Sequence, residues 1–208
     1  MKTFMKGFMM KSTDLSRRTL LLSASAFAIV PLPVFALSEA EATKLINSAV
    51  NDINRVISSG KSQQAMNGDF EKIFVKYADV STIARSALGP PARSASKGEL
   101  RSFTSAFTGY LARKYGKRFR EFIGGKIEVK GARSVKSFQE VKAVAVLRGK
   151  SPFDISFMVS DRSGSDKFFD LLIEGISLLK SEKAEIGAML DKRRGDLGAL
   201  IKDLNSAG

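Results

Sequence analysis

Apolar residues recur at helical spacing through the first half of the chain and alternate through much of the second. Leu45, Ile46, Ala49, Ile53, Val56 and Ile57 share one side of a helix. Ser38-x-x-Glu41 opens that helix as a capping box, and Ser58-Ser59-Gly60 closes it. Phe70, Ile73, Phe74 and Tyr77 predict a second helix over 68–77. A short third helix, capped by Asp79 or Ser81, carries Ile83, Ala84 and Leu88 until Gly89-Pro90-Pro91 stops it, because proline cannot donate to or continue a helix. The longest amphipathic run is Ser96 to Ile123. Phe103, Phe107, Tyr110, Leu111, Tyr115, Phe119 and Phe122 form its apolar face, opposite Arg101, Arg113, Lys117 and Arg120.

The period changes at Gly124-Gly125. Ile127 to Lys130 alternates, Phe138 to Leu147 is rich in β-branched residues, and Phe153, Ile155, Phe157 and Val159 alternate strictly with polar or smaller partners. Phe168 to Glu174 supplies a fourth strand. The connectors 131–136, 149–151 and 161–166 are short and polar, which suits an antiparallel meander. Helix returns from about Glu182 to Leu204, broken near Gly195, with Asp196 capping the last segment. The expected class is α+β: N-terminal helices and a C-terminal helix packed on a curved antiparallel sheet of about four strands, enclosing an apolar cavity.

Residues 1–36 read as an address, outside the fold. Lys2, Lys6, Lys11, Arg17 and Arg18 precede an apolar run from Thr19 to Val30. That run is shorter than the ~20 residues a membrane span needs, and suits a signal peptide. Val34-Phe35-Ala36 offers a cleavage site after Ala36, and Ser16-Arg17-Arg18-Thr19-Leu20-Leu21 resembles the twin-arginine export motif, although a Sec signal can carry the same pair. The expected product is a single domain over 37–208 in the periplasm.

Composition narrows the chemistry. The 208 residues include no His, no Cys and no Trp, but 15 Phe. Disulfides, thiolate metal sites, imidazole bases and Ser-His-Asp triads are excluded. Lys and Arg number 34 against 21 Asp and Glu; with the leader set aside, residues 37–208 keep 29 cations and 20 acids, a net +9. Such a surface attracts phosphates or acidic partners.

Three sets of residues are candidates for function. The Phe stripe packs on the sheet either as plain core or as the wall of an apolar pocket, thinned by Ala106, Gly109, Ala112, Gly116, Ala143 and Ala145. The pocket lining expected is Phe103, Phe107, Tyr110, Leu111, Phe119, Val144, Val146, Ile155, Phe157, Val159, Leu171 and Ile173. Arg113 to Arg120 interleaves bases with aromatics, but Tyr115 and Phe119 belong to the apolar stripe, so no nucleic-acid partner is expected. Asp170 and Glu174, four apart on one strand, are the only acid–base candidates, and two solvent-facing acids would look the same. No catalytic or metal site is assigned. An enzyme of the cone-shaped α+β type, acting on an apolar small molecule, is the alternative left open.

Two stretches resemble the MlaC family of periplasmic phospholipid-binding proteins, also described as toluene-tolerance auxiliary components. One is Phe74-Val75-Lys76-Tyr77-Ala78-Asp79 with Ile83-Ala84, Ala87-Leu88-Gly89 and the spaced Phe103, Phe107 and Leu111. The other is Phe168-Phe169-Asp170-Leu171-Leu172-Ile173-Glu174-Gly175-Ile176-Ser177-Leu178-Leu179. The chain departs from the family at Ala92, and at Ser165 or Asp166, where members usually carry Trp or another large aromatic. The resemblance implies a monomeric carrier with no cofactor and with phospholipid, or another lipid such as a hopanoid, as cargo. Its implied partners are an inner-membrane transporter complex with an MCE-domain protein and an outer-membrane lipoprotein–porin complex.

Overall fold

Nearly every helix begins at a side chain able to accept from its free amides. The computed structural model describes residues 37–207; the export leader read in residues 1–36 lies outside them. In α1 (Glu39–Ile57) the Glu41 amide donates to Ser38 Oγ at 3.2 Å, and the Ser38 amide donates back to Glu41 Oε2 at 2.9 Å. Ser62 caps α2 (Gln63–Tyr77), Asp79 caps α3 (Val80–Leu88), and Ser96 with Glu99 forms a second reciprocal box at the start of α4 (Lys97–Phe119). Short 3-10 turns follow α3 (Pro90–Arg93) and α4 (Arg120–Phe122). The second helix starts at Gln63 instead of 68, because the Ser62 cap outweighs the roughly 1 kcal/mol that Gly68 costs inside a helix.

Five strands follow: β1 (Lys126–Val135), β2 (Phe138–Val146), β3 (Phe153–Ser160), β4 (Lys167–Ile173) and β5 (Ile176–Ser177). They lie in sequence order, each antiparallel to the next. The segment 131–136, expected as a loop, mostly belongs to β1. A register shift between Val129 and Gly131 lets pairing continue to Val135 opposite Phe138, which confines the turn to Lys136 and Ser137. The fifth strand is a two-residue return opposite Leu172 and Ile173. It ends at Ser177, which caps α5 (Leu178–Lys192), so that helix starts four residues before Glu182. Asp196 caps α6 (Leu197–Ser206).

The interior has two main layers. Ala42, Ile46 and Val50 of α1 lie on one face of the sheet, against Ile127, Val141, Ala143, Ala145, Ile155, Phe157 and Val159. The second core is helical: Ile83, Ala84, Ala87 and Leu88 of α3 meet Phe103, Phe107, Tyr110 and Leu111 of α4, Ile186 and Leu190 of α5, and Leu200 and Leu204 of α6. A smaller cluster of Ile57, Met66 and Phe70 joins α1 to α2. Buried polar ties hold α1 down: Gln139 Nε2 donates to the Leu37 carbonyl at 2.8 Å, and the Tyr77 hydroxyl donates to Asp52 at 2.7 Å.

Candidate functional site

The expected lining residues divide between the two layers. Phe103 and Phe107, both fully buried, stack at 5.6 Å between ring centres in the helical core, with Tyr110 and Leu111 beside them. Ile155, Phe157 and Val159 point the other way along β3, into the α1–sheet layer, where half-buried Leu171 packs on them. Ile173 is half-buried opposite Ile155 and Ile176. Val144 and Val146 occupy the opposite face of the sheet from Ala143 and Ala145, and Val144 stands between Glu128 and Asp154. The side chain of Phe119 lies outside the described set.

One residue belongs to both layers. Phe168, at the start of β4, packs against the helical core and the α1–sheet core alike. Its ring stands edge-on to Phe74 of α2 at 6.0 Å and to Phe157 of β3 at 5.8 Å. Its carbonyl accepts from the Asp79 amide at 2.8 Å, in the link between α2 and α3. Phe74 and Phe168 both have apolar spacing legible in the sequence, but nothing in that spacing says they meet.

A polar cluster bridges α4 and α5. Lys114 Nζ donates to Glu182 Oε1 at 2.8 Å and to Glu185 Oε2 at 2.5 Å. The Tyr115 hydroxyl donates to Glu182, and the Tyr110 hydroxyl donates to Glu185 at 2.5 Å. Burial and the Glu185 carboxylate push the Tyr110 hydroxyl up to about 12. Burial and Glu182 likewise raise Tyr115. Burial works against the charge on Lys114, yet its bonds to both carboxylates hold it above the ordinary lysine range. Glu182 Oε2 is buried without a protein donor. These partners are 67 to 75 residues apart in the chain, beyond the reach of any local pattern.

Neither acid candidate is poised as a base. Asp170 accepts from Ser177 Oγ at 2.6 Å and from the amides of Leu171 and Leu179 at 2.8 and 3.0 Å, so its carboxylate fastens β4 to the start of α5. Glu174 does not share its strand face. It lies in the β4–β5 turn with φ 50°, where its carboxylate accepts from the Asp154 amide. In the basic stretch, Arg113 donates to the carbonyls of Leu204 and Ala207 at the end of α6, and Lys114 belongs to the polar cluster. An open groove of about 570 Å³ lies on the sheet face away from α1, with Phe138, Met158 and Leu172 beside Arg133, Glu140 and Lys180. None of the twelve lining candidates borders it. Among the described residues no Asp/Glu group is placed to hold a metal ion, and no helix is long and apolar enough to cross a membrane.

The fold has a solved counterpart. A phospholipid-binding protein from Ralstonia solanacearum, determined in complex with a phospholipid, superposes with a TM-score of 0.68 at 20% identity, over 79% of this chain and 95% of that one. No curated protein matches the chain. The family model of the MlaC protein matches residues 47–206, a span that holds α2 to α6 and the whole sheet, together with both stretches that carry the sequence resemblance. The chain therefore belongs to the MlaC family.

Proposed function

We propose that this chain is a periplasmic lipid carrier, exported by the leader in residues 1–36, that holds phospholipid acyl chains between its α1–sheet layer and its helical layer. The observation that carries this reading is the division of the interior into two apolar cores that share Phe168. Separating the layers along that seam offers an acyl chain apolar walls on both sides. Phe103, Phe107, Tyr110 and Leu111 supply one wall. Ile155, Phe157, Val159, Leu171 and Ile173 supply the other. Val144 and Val146 lie on the opposite face of the sheet, away from α1.

The energetics favour such a cargo. Each buried CH₂ contributes about 0.8 kcal/mol, so one long chain outweighs the repacking of several side chains. Family membership and the phospholipid held by the Ralstonia protein both support a carrier over an enzyme, as do the structural bonds that occupy Asp170. Release needs a partner that favours the open state. An inner-membrane MCE-domain transporter complex and an outer-membrane lipoprotein–porin complex fill that role at the two ends of the shuttle, and a monomer suffices.

Extraction of the purified protein followed by lipid mass spectrometry tests the reading. Near-stoichiometric phospholipid is the expected result. Protein that carries no lipid and takes none up from vesicles would overturn it, and a different co-purified lipid would reassign the cargo.

A further inference from the structure

The net charge of the chain is concentrated in one stretch. Between Val80 and Arg120 there are nine Lys or Arg and a single acid, so this stretch holds +8 of the +9 carried by residues 37–208. The acid, Glu99, is occupied in the cap of α4, where it accepts from the Ser96 amide at 2.8 Å. Arg113 and Lys114 are turned onto α6 and α5. Arg85, Arg93, Lys97 and Arg101 are exposed and, among the described residues, have no acid within ion-pair distance.

The chain folds these four around one turn. The Gly89 amide donates to the Arg85 carbonyl at 3.1 Å, and the Ala92 amide donates to the Gly89 carbonyl at 3.0 Å, so the Pro90–Arg93 turn sits on the end of α3. Ala92 and Ala95 pack inward on the helical core, while Arg93 stays exposed. Lys97 and Arg101, one turn apart, share the exposed side of α4. A fifth cation arrives from α5: Lys183 crosses Gly89 so closely that its Cε lies 3.6 Å from where a Cβ would stand. It too is exposed and, among the described residues, has no acid within ion-pair distance.

We propose that the turn at Gly89-Pro90-Pro91 and its five cations, Arg85, Arg93, Lys97, Arg101 and Lys183, form an electrostatic docking face for an anionic phospholipid bilayer. A protein partner would be met by an aromatic or aliphatic anchor at the centre of the face. Among the described residues the large apolar side chains that are exposed are Val75 of α2, Ile123 in the link between the 3-10 turn after α4 and β1, and Ile176 of β5. What the face offers is diffuse positive charge on long side chains, complementary to a fluid layer of phosphates. Each cation near such a surface raises the partition coefficient about fivefold, and salt screens the effect. The proposal asks nothing of the interior, so it stands or falls separately from the lipid-carrying reading.

The test is lysine-modification footprinting of the full chain mixed with phosphatidylcholine vesicles, with and without phosphatidylglycerol. Lys97 and Lys183 should be protected by the anionic vesicles at low salt, and exposed again at high salt or on phosphatidylcholine alone. Lys136, in the β1–β2 turn, and Lys142, on β2, serve as controls within the same molecule and should stay reactive. Vesicle sedimentation should show R93E/K97E bound about 25-fold more weakly or worse, two cations at fivefold each, with K136E/K142E at the wild-type level. Equal protection of the control lysines, or equal losses in the two double variants, would reduce the effect to net charge and overturn the proposal. No protection at all would overturn it as well and leave the face to an acidic protein.

Discussion

The Asp79 amide donates to the carbonyl of Phe168 at 2.8 Å, which fastens the α2–α3 link to the start of β4 at the residue whose ring belongs to both cores. Backbone and side chain of Phe168 thus act at one place. The amide bond limits how far the layers can slide, and the ring fills the seam between them.

Phe168→Ala should cost about 2–4 kcal/mol, toward the lower end for a Phe→Ala change because the ring is only half-buried. Urea unfolding gives the loss. If the seam receives acyl chains, the same variant should change the lipid carried per protein, whereas Leu200→Ala, on α6 in the helical core, should lower stability alone.

The α4–α5 bridge should behave as a coupled unit. Lys114→Met strands the buried carboxylate of Glu182 and should cost about 2–3 kcal/mol. Adding Glu182→Met should recover most of that loss, since the stranded charge is then gone. A double-mutant cycle in urea measures the coupling, and strictly additive losses would refute it.

The same bridge makes the fold sensitive to alkali. Tyr110, raised from 10.0 to about 12, and Tyr115 and Lys114, also raised, all hold their protons more tightly in the folded state than in the unfolded chain. Above about pH 10 the unfolded chain releases those protons first, so stability is full below that pH and falls as pH rises toward the folded values. Thermal melts across this range should show Tm falling faster in the wild type than in Lys114→Met/Glu182→Met.

Gly125 has no room for a side chain. A Cβ there would stand 2.5 Å from the Val146 carbonyl oxygen and 3.1 Å from Leu147 Cα. Gly125→Ala must push β1 away from the end of β2, at a cost of about 1–3 kcal/mol, to be read as a lower urea midpoint. Gly187→Ala, where nothing lies within 4 Å, should leave the midpoint unchanged or slightly higher.

The two faces of β2 should respond differently to bulk. Ala145 is fully buried beneath α1, so Ala145→Phe should reduce lipid occupancy and destabilise the fold. Val144, on the far face, should accept Phe with occupancy intact. Lipid mass spectrometry on both variants decides it, and equal occupancy would place the acyl chains elsewhere.

Much of the architecture was legible from local pattern. The Ser38–Glu41 box, the Asp79 and Asp196 caps and the strict alternation of β3 each rest on contacts within a few residues. In β2 the run Ala143-Val144-Ala145-Val146 is apolar at every position, so alternation within it does not tell the faces apart and only the exposed Lys142 before it marks the outward side. Ala143 and Ala145 turn inward because α1 lies close over them, leaving the larger Val144 and Val146 outside.

The Phe stripe of α4 shows the same limit. Phe103, Phe107, Tyr110 and Leu111 announce a buried face, and an amphipathic helix shows that face whatever covers it. Order along the chain points to the sheet as its cover. The structure covers it instead with α3, α5 and α6.

By itself, then, the sequence determined most of the elements, several of their caps, the α+β class and the lack of thiol and imidazole chemistry, because those follow from composition and from neighbours within a turn or a hairpin. Tertiary structure alone decided that the core is double, that Phe168 joins its halves, that Lys114 is tied to Glu182 and Glu185, and that Lys183 of α5 reaches across Gly89. Each of these depends on contacts between residues distant in the chain, which close packing selects and local spacing does not encode.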